Sequence, residues 1–270
     1  MSEALHNTGL LGRPEEYFRP DHTHLWARRW GLARQGQYER FIAAAVAFGT
    51  TPNGIFSVKL HHYQFVWLLE RLREIPGVAP ESGESDLLAS AIPGPRYVFL
   101  TRREKSRQAV SYFLAAQSQE WFQLGAAPGA PSSGVAARRG GNGGETIPGD
   151  ELADLQTIRW LEQALIEQEG AWRAFLTGSE VESFEVAYED FSGGYEGTVL
   201  AVLDFMDVVP PPGFRVQDPE LKRQSNARTE ELVDRYLTVR SSIEQMPAGA
   251  TWSKEERRYV SPSLAGSAEP

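Results

Sequence analysis

The feature that most constrains this chain is a short apolar block stopped by a cation. Tyr97-Val98-Phe99-Leu100-Thr101 ends at Arg102, and a helical repeat through Gln108, Ala109, Val110, Ser111 and Tyr112 follows. Such a block reads as a buried strand with a charged carboxyl end. Ligands of open α/β sheets bind at the carboxyl ends of strands. An arginine there, with a serine hydroxyl on the next helix, is a natural pair of donors for a phosphate. The rest of the chain alternates in the same way. Phe41, Ala44, Ala45 and Phe48 predict a helix over 37–48, and Phe65, Leu68, Leu69 and Leu72 predict another ending towards Pro76. Residues 54–60 read as a strand entered through the turn Thr51-Pro52-Asn53-Gly54. A helix over 104–122, a long one from Asp150 to Gly178, a strand over 181–188 and a helix containing Val199 to Met206 follow, with Thr229 the N-cap of a last helix. This order predicts an α/β fold, a parallel sheet flanked by helices.

Residues 125–149 are rich in Gly, Ala, Pro, Ser and Arg, too poor in apolar area to offset their ordering entropy. We expect one domain over 1–246 carrying this stretch as a flexible insertion, and a disordered tail over 247–270. The absence of cysteine removes disulfides, thiol nucleophiles and Cys-based zinc sites, which makes the cytoplasm the expected address. No segment reaches the roughly 18 apolar residues of a membrane span, and the N-terminus lacks a signal pattern. The net charge of −9 argues against nucleic acid and anionic membranes as partners. Any anion site must be a local concentration of Arg and Lys.

Four segments in register carry a resemblance. They are Thr8-Gly9-Leu10-Leu11-Gly12-Arg13-Pro14-Glu15-Glu16-Tyr17-Phe18, Thr51 through Leu60, Arg102 through Gln108-Ala109-Val110-Ser111, and Leu221-Lys222-Arg223-Gln224 leading into Glu231-Leu232-Val233-Asp234-Arg235-Tyr236. Their order and spacing resemble the bacterial trehalose 2-sulfotransferases and related carbohydrate sulfotransferases; Glu169-Gly170-Ala171-Trp172-Arg173-Ala174-Phe175 also fits. The resemblance spans residues 3 to 240 apart from the Gly-rich stretch. It implies a core like that of nucleotide (P-loop) kinases, and transfer of a sulfuryl group from 3′-phosphoadenosine 5′-phosphosulfate to a sugar or glycolipid hydroxyl. It also implies a homodimer.

By the same resemblance, Glu16 of the Gly-x-Pro-x-Glu motif inherits the role of general base. A sugar hydroxyl is a poor nucleophile, and a carboxylate in reach can take its proton as the S–O bond forms. Arg102 and Ser111 match the positions that hold the 3′-phosphate, and Arg223 and Gln224 a later loop over the same end of the nucleotide. Acceptor binding falls on Arg13, Pro14, Glu15, Tyr17, Phe18 and Arg19 around the base, with Trp30 beyond them. Arg13 and Arg19 replace an acid and an amide of the trehalose enzymes, and suit an acceptor bearing carboxylate or phosphate as well as a neutral sugar.

Other positions keep two readings. Lys59 ends the expected strand, so its ammonium is placed either to offset charge on the leaving group or simply to be solvated. Trp26 and Trp30 offer faces for sugar stacking or for core packing. His22, His24, His61 and His62 invite a metal, but histidines without cysteine rarely make a site and the transfer needs none; we expect no metal. The family's opening strand and Ser/Gly-rich loop, roughly twenty residues, have no counterpart before Met1. Either the sequence starts inside a longer protein, which the presence of Glu16, Arg102 and Ser111 favours, or the product lacks the loop. In the second case the chain would be a non-catalytic relative binding nucleotide or sugar. A nucleotide-dependent kinase, which needs a Lys-bearing loop upstream, is the remaining reading.

Overall fold

The computed structural model describes residues 1–32, 38–79, 81–118, 149–219 and 227–243. The apolar block forms β1 (Tyr97–Thr101), which pairs in parallel with β2 (Ser183–Ala187) in the register Tyr97↔Ser183 to Thr101↔Ala187. Parallel neighbours need a long crossover. Here it contains α6 (Lys105–Ser118) and α7 (Gly149–Gly178). The helices before β1 are α1 (Ser2–Asn7), α2 (Thr23–Arg29), α3 (Tyr38–Gly49), α4 (His62–Arg73) and α5 (Glu84–Ala91); those after β2 are α8 (Tyr188–Gly193), α9 (Tyr195–Phe205) and α10 (Ala227–Ile243). The fold is thus α/β, helix-rich, with a small parallel sheet.

Two compact units make up the chain. The first joins Met1–Arg103 to Glu167–Asp218, and the second takes the described residues of Glu104–Ile166 and Pro219–Pro270. In the first, α3 and α4 present Phe41, Ile42, Phe65, Leu68, Leu69 and Leu72 to a core that also buries Tyr17, Phe18, Leu87 and Phe175. A second cluster in this unit joins Ala4, Leu5 and Leu11 to Val186, Phe191, Val199, Val202 and Leu203. Each fully buried large apolar side chain contributes about 1.5–3 kcal/mol. In the second unit, Ala109, Val110 and Phe113 of α6 pack with Leu155, Ile158 and Leu161 of α7 and with Val233 and Tyr236 of α10.

Two expectations are corrected. Residues 54–60 form no ladder strand; they make single bridges, Thr50↔Phe56 antiparallel and Glu15↔Val58 parallel. Arg13, the next residue whose backbone would face this segment, gives its N–H to the Gly49 carbonyl at 2.8 Å instead, so the parallel pairing does not extend in that direction. Helix α10 begins at Ala227, so Thr229 lies within its first turn, buried, and is not the cap. Residues 119–122 of the expected helix, the Gly-rich stretch up to 148, and the tail from 247 lie outside the described residues.

Candidate active site

The loop carrying Glu16 is built around a glycine. Gly12 has φ +71°, and a Cβ there would lie 2.5 Å from the backbone nitrogen of Ser57 and 2.6 Å from its hydroxyl. Only glycine permits both the conformation and the approach. The turn predicted at 51–54 explains the closeness. Thr51 Oγ1 accepts the Gly12 N–H at 3.1 Å, and the Asn53 amide donates to the Leu10 carbonyl at 2.8 Å. Further along, the Lys59 N–H donates to the Glu15 carbonyl at 3.0 Å, and the Tyr17 hydroxyl to the Arg13 carbonyl at 2.6 Å. Glu16 and Lys59 each follow a bridged residue, so their side chains project on one face.

That placement makes the site. Lys59 Nζ lies 2.6 Å from Glu16 Oε1, and the Gln64 amide donates to Glu16 Oε2 at 2.7 Å. His61 Nε2 stands 3.7 Å from the same Oε1. His61 precedes the first residue of α4, so the carboxylate also faces a helix N-terminus, where the dipole favours an anion. Burial works to raise the Glu16 pKa, but His61 and the Lys59 ammonium outweigh it and hold the carboxyl well below the usual range. Burial pushes the neighbouring Tyr63 phenol up to about 12, which keeps it a neutral hydroxyl. The arrangement is an ionised, partly buried carboxylate with a partly exposed ammonium on one oxygen and a buried amide on the other.

A cleft of about 360 Å³ opens at the carboxyl ends of β1 and β2, lined by Thr101, Arg102, Arg103, Glu169, Arg173, Glu185, Ala187 and Asp190. Arg173 grips Glu185 in a fork at 2.6 and 2.9 Å and reaches Glu169 at 3.2 Å. Arg103 pairs with Asp190 through both guanidinium nitrogens. Arg102 lays its guanidinium over the Tyr188 ring, 4.8 Å from the centroid. Arg103 and Arg173 are thus matched to carboxylates, and an aromatic face also braces Arg102.

The remaining sequence-selected residues fall as follows. Arg13 stacks on Phe48 at 5.2 Å and Arg19 pairs with Asp21 at 3.0 Å. Pro14 is buried and Glu15 exposed. Tyr17 and Phe18 are fully buried, so they shape the wall behind Glu16. Trp30 stacks on Trp26 at 5.3 Å and packs with Phe41 against the core. Ser111 belongs to the second unit, where its hydroxyl donates to the Arg107 carbonyl at 2.8 Å. Arg223 and Gln224 lie outside the described residues. No cluster of metal-ligating side chains occurs among the described residues. Sequence reasoning passed over Gln64 and singled out neither His61 nor Arg173 for this role. The spacing of His61 and Gln64, an N-cap and its third helical residue, is the signal that could have found them.

An ionised carboxylate paired with a lysine can activate a hydroxyl, and the cleft at the strand ends carries arginines of the kind that hold anions. The chain matches the Stf0 sulphotransferase family model over residues 1–238, and it belongs to that family. Among curated proteins it is similar to the trehalose 2-sulfotransferase of Mycobacterium tuberculosis, 27% identical over 264 residues, which cover 87% of this chain and 88% of that protein. It is also similar to the trehalose 2-sulfotransferase of Mycolicibacterium smegmatis, 29% identical over 260 residues, with 87% of this chain and 88% of that protein covered. Among the described residues no helix is long and apolar enough to cross a membrane.

Proposed function

We propose that this sulfotransferase moves the sulfuryl group of 3′-phosphoadenosine 5′-phosphosulfate to a hydroxyl of trehalose or a related glycan or glycolipid, in the cytoplasm. The observation that carries the reading is the Glu16–Lys59 pair at 2.6 Å. Glu16 takes the proton of the acceptor hydroxyl as its oxygen attacks sulfur in line. The Lys59 ammonium turns towards the bridging oxygen of the departing adenosine 3′,5′-bisphosphate and offsets the negative charge growing there. Arg102 receives the 3′-phosphate, and the parallel strand pair is read as part of a nucleotide-kinase-like core. Arg19 sits beside Glu16 and Tyr63 closely enough to interact with both, and favours an acceptor that carries a negative group.

Calorimetric titration with adenosine 3′,5′-bisphosphate tests the nucleotide half of this reading. Saturable binding is expected, weakened in Arg102→Ala by about 1.5–3 kcal/mol for a lost charged hydrogen bond. ADP binding more tightly than the bisphosphate would overturn it in favour of a kinase.

A further inference from the structure

Gln64 is 0% exposed, yet it carries a polar amide in the first turn of α4. Its Oε1 accepts the His61 backbone N–H at 3.0 Å, so its NH₂ group must face the other way. That NH₂ donates to Glu16 Oε2 at 2.7 Å and to the Tyr63 hydroxyl at 3.2 Å. Flipping the amide would set its carbonyl oxygen against a carboxylate and its NH₂ against an N–H donor, so the orientation is enforced. The two oxygens of Glu16 therefore meet different partners. Oε2 meets a neutral, immobile donor. Oε1 meets Lys59, whose side chain is 33% exposed and long enough to aim elsewhere.

We propose that Gln64 is a positioning residue of the transfer step: it fixes Oε2, so that Oε1, the oxygen covered by Lys59, receives the acceptor's proton. This rests on Glu16 being the base. In the step, the hydroxyl proton passes to Oε1 and the hydroxyl oxygen bonds to sulfur. The bond from sulfur to the bridging oxygen breaks, and its electron pair leaves with adenosine 3′,5′-bisphosphate. Lys59 has a reason to leave Oε1 only when negative charge grows on that bridging oxygen. A carboxylate released by the ammonium but still gripped by the amide is a stronger base in an unchanged place.

Two variants separate positioning from helix capping. Gln64→Glu keeps the acceptor for the His61 N–H but puts a second carboxyl against Glu16, so the pair must share a proton. Gln64→Met keeps the length and is uncharged. Carboxyl-carbon NMR of the donor-free protein needs no acceptor. We expect the Glu16 titration to rise by about one pH unit or more in Gln64→Glu. With the phosphosulfate donor and trehalose, kcat should fall about tenfold or more in both variants at unchanged donor KM. The acid limb of kcat should move up in Gln64→Glu. An unchanged Glu16 titration, or wild-type kcat in both variants, overturns the proposal. If wild type transfers nothing, the functional reading fails, while the titration still decides whether Gln64 governs the carboxylate.

Discussion

At the residue scale, Glu16 is a balance between burial, which resists its charge, and the cations that sustain it. Lys59 is the cation at hydrogen-bond distance, 2.6 Å. In Lys59→Met only His61 is left to offset the burial, so the Glu16 titration, read by carboxyl-carbon NMR, should move upward. Turnover should fall by about 10²–10³, the usual effect of losing one donor aimed at developing charge. The sign for stability follows from linkage. A carboxyl with a depressed folded pKa stabilises fully above its ordinary value of 4.5, and that contribution is lost only as pH falls through the depressed one. Urea midpoints should therefore lose this contribution in wild type only far into acid, and in Lys59→Met at higher pH. Glu16 was legible because its motif sits in a recognisable register. Gln64 was not, since an amide between Tyr63 and Phe65 reads as an ordinary polar helix position, and its partner lies 48 residues earlier in the chain.

At the element scale, the turn at 51–54 acts as a clamp on the motif loop. Replacing Gly12 by alanine forces a side chain into positive φ and onto the Ser57 backbone. We expect Gly12→Ala to cost about 1–3 kcal/mol or more in urea unfolding, with turnover lost because Glu16 shifts away from Lys59. Unaltered stability would show that the loop is not held as described. The sequence pattern foretold β1 as a short apolar block stopped by a cation, and the long helices through their 3.6-residue spacing. It misread 54–60, whose apolar Ile55, Phe56, Val58 and Leu60 pack as a bridge-bearing extended segment. Whether a run finds a ladder partner depends on the facing chain, where the Arg13 N–H is already given to Gly49, and local periodicity cannot report that.

At the scale of the whole molecule, the chain divides into two compact units, a level that alternation does not address, because it says which segments form and not which pack together. The second unit has its own polar anchor. Glu162, 1% exposed, accepts from Tyr236 Oη at 2.8 Å and is approached by Arg240 at 3.2 Å and Arg159 at 3.4 Å. Removing the carboxylate in Glu162→Ala leaves a buried hydroxyl and two cations without it, and should cost about 3–5 kcal/mol by thermal or urea unfolding. A change under about 0.5 kcal/mol, typical of surface sites, would contradict that role. The net charge of −9 requires any anion site to be local, and the cleft at the strand ends sets three arginines among three carboxylates.

The most direct measurement is transfer of a radiolabelled sulfuryl group from 3′-phosphoadenosine 5′-phosphosulfate to trehalose by wild type and by Glu16→Gln. Turnover is expected to fall by about 10²–10⁴ in the variant, while its affinity for adenosine 3′,5′-bisphosphate stays at the wild-type level. Undiminished transfer by Glu16→Gln would contradict this reading, because the carboxylate held by Lys59 and Gln64 would then not be the base.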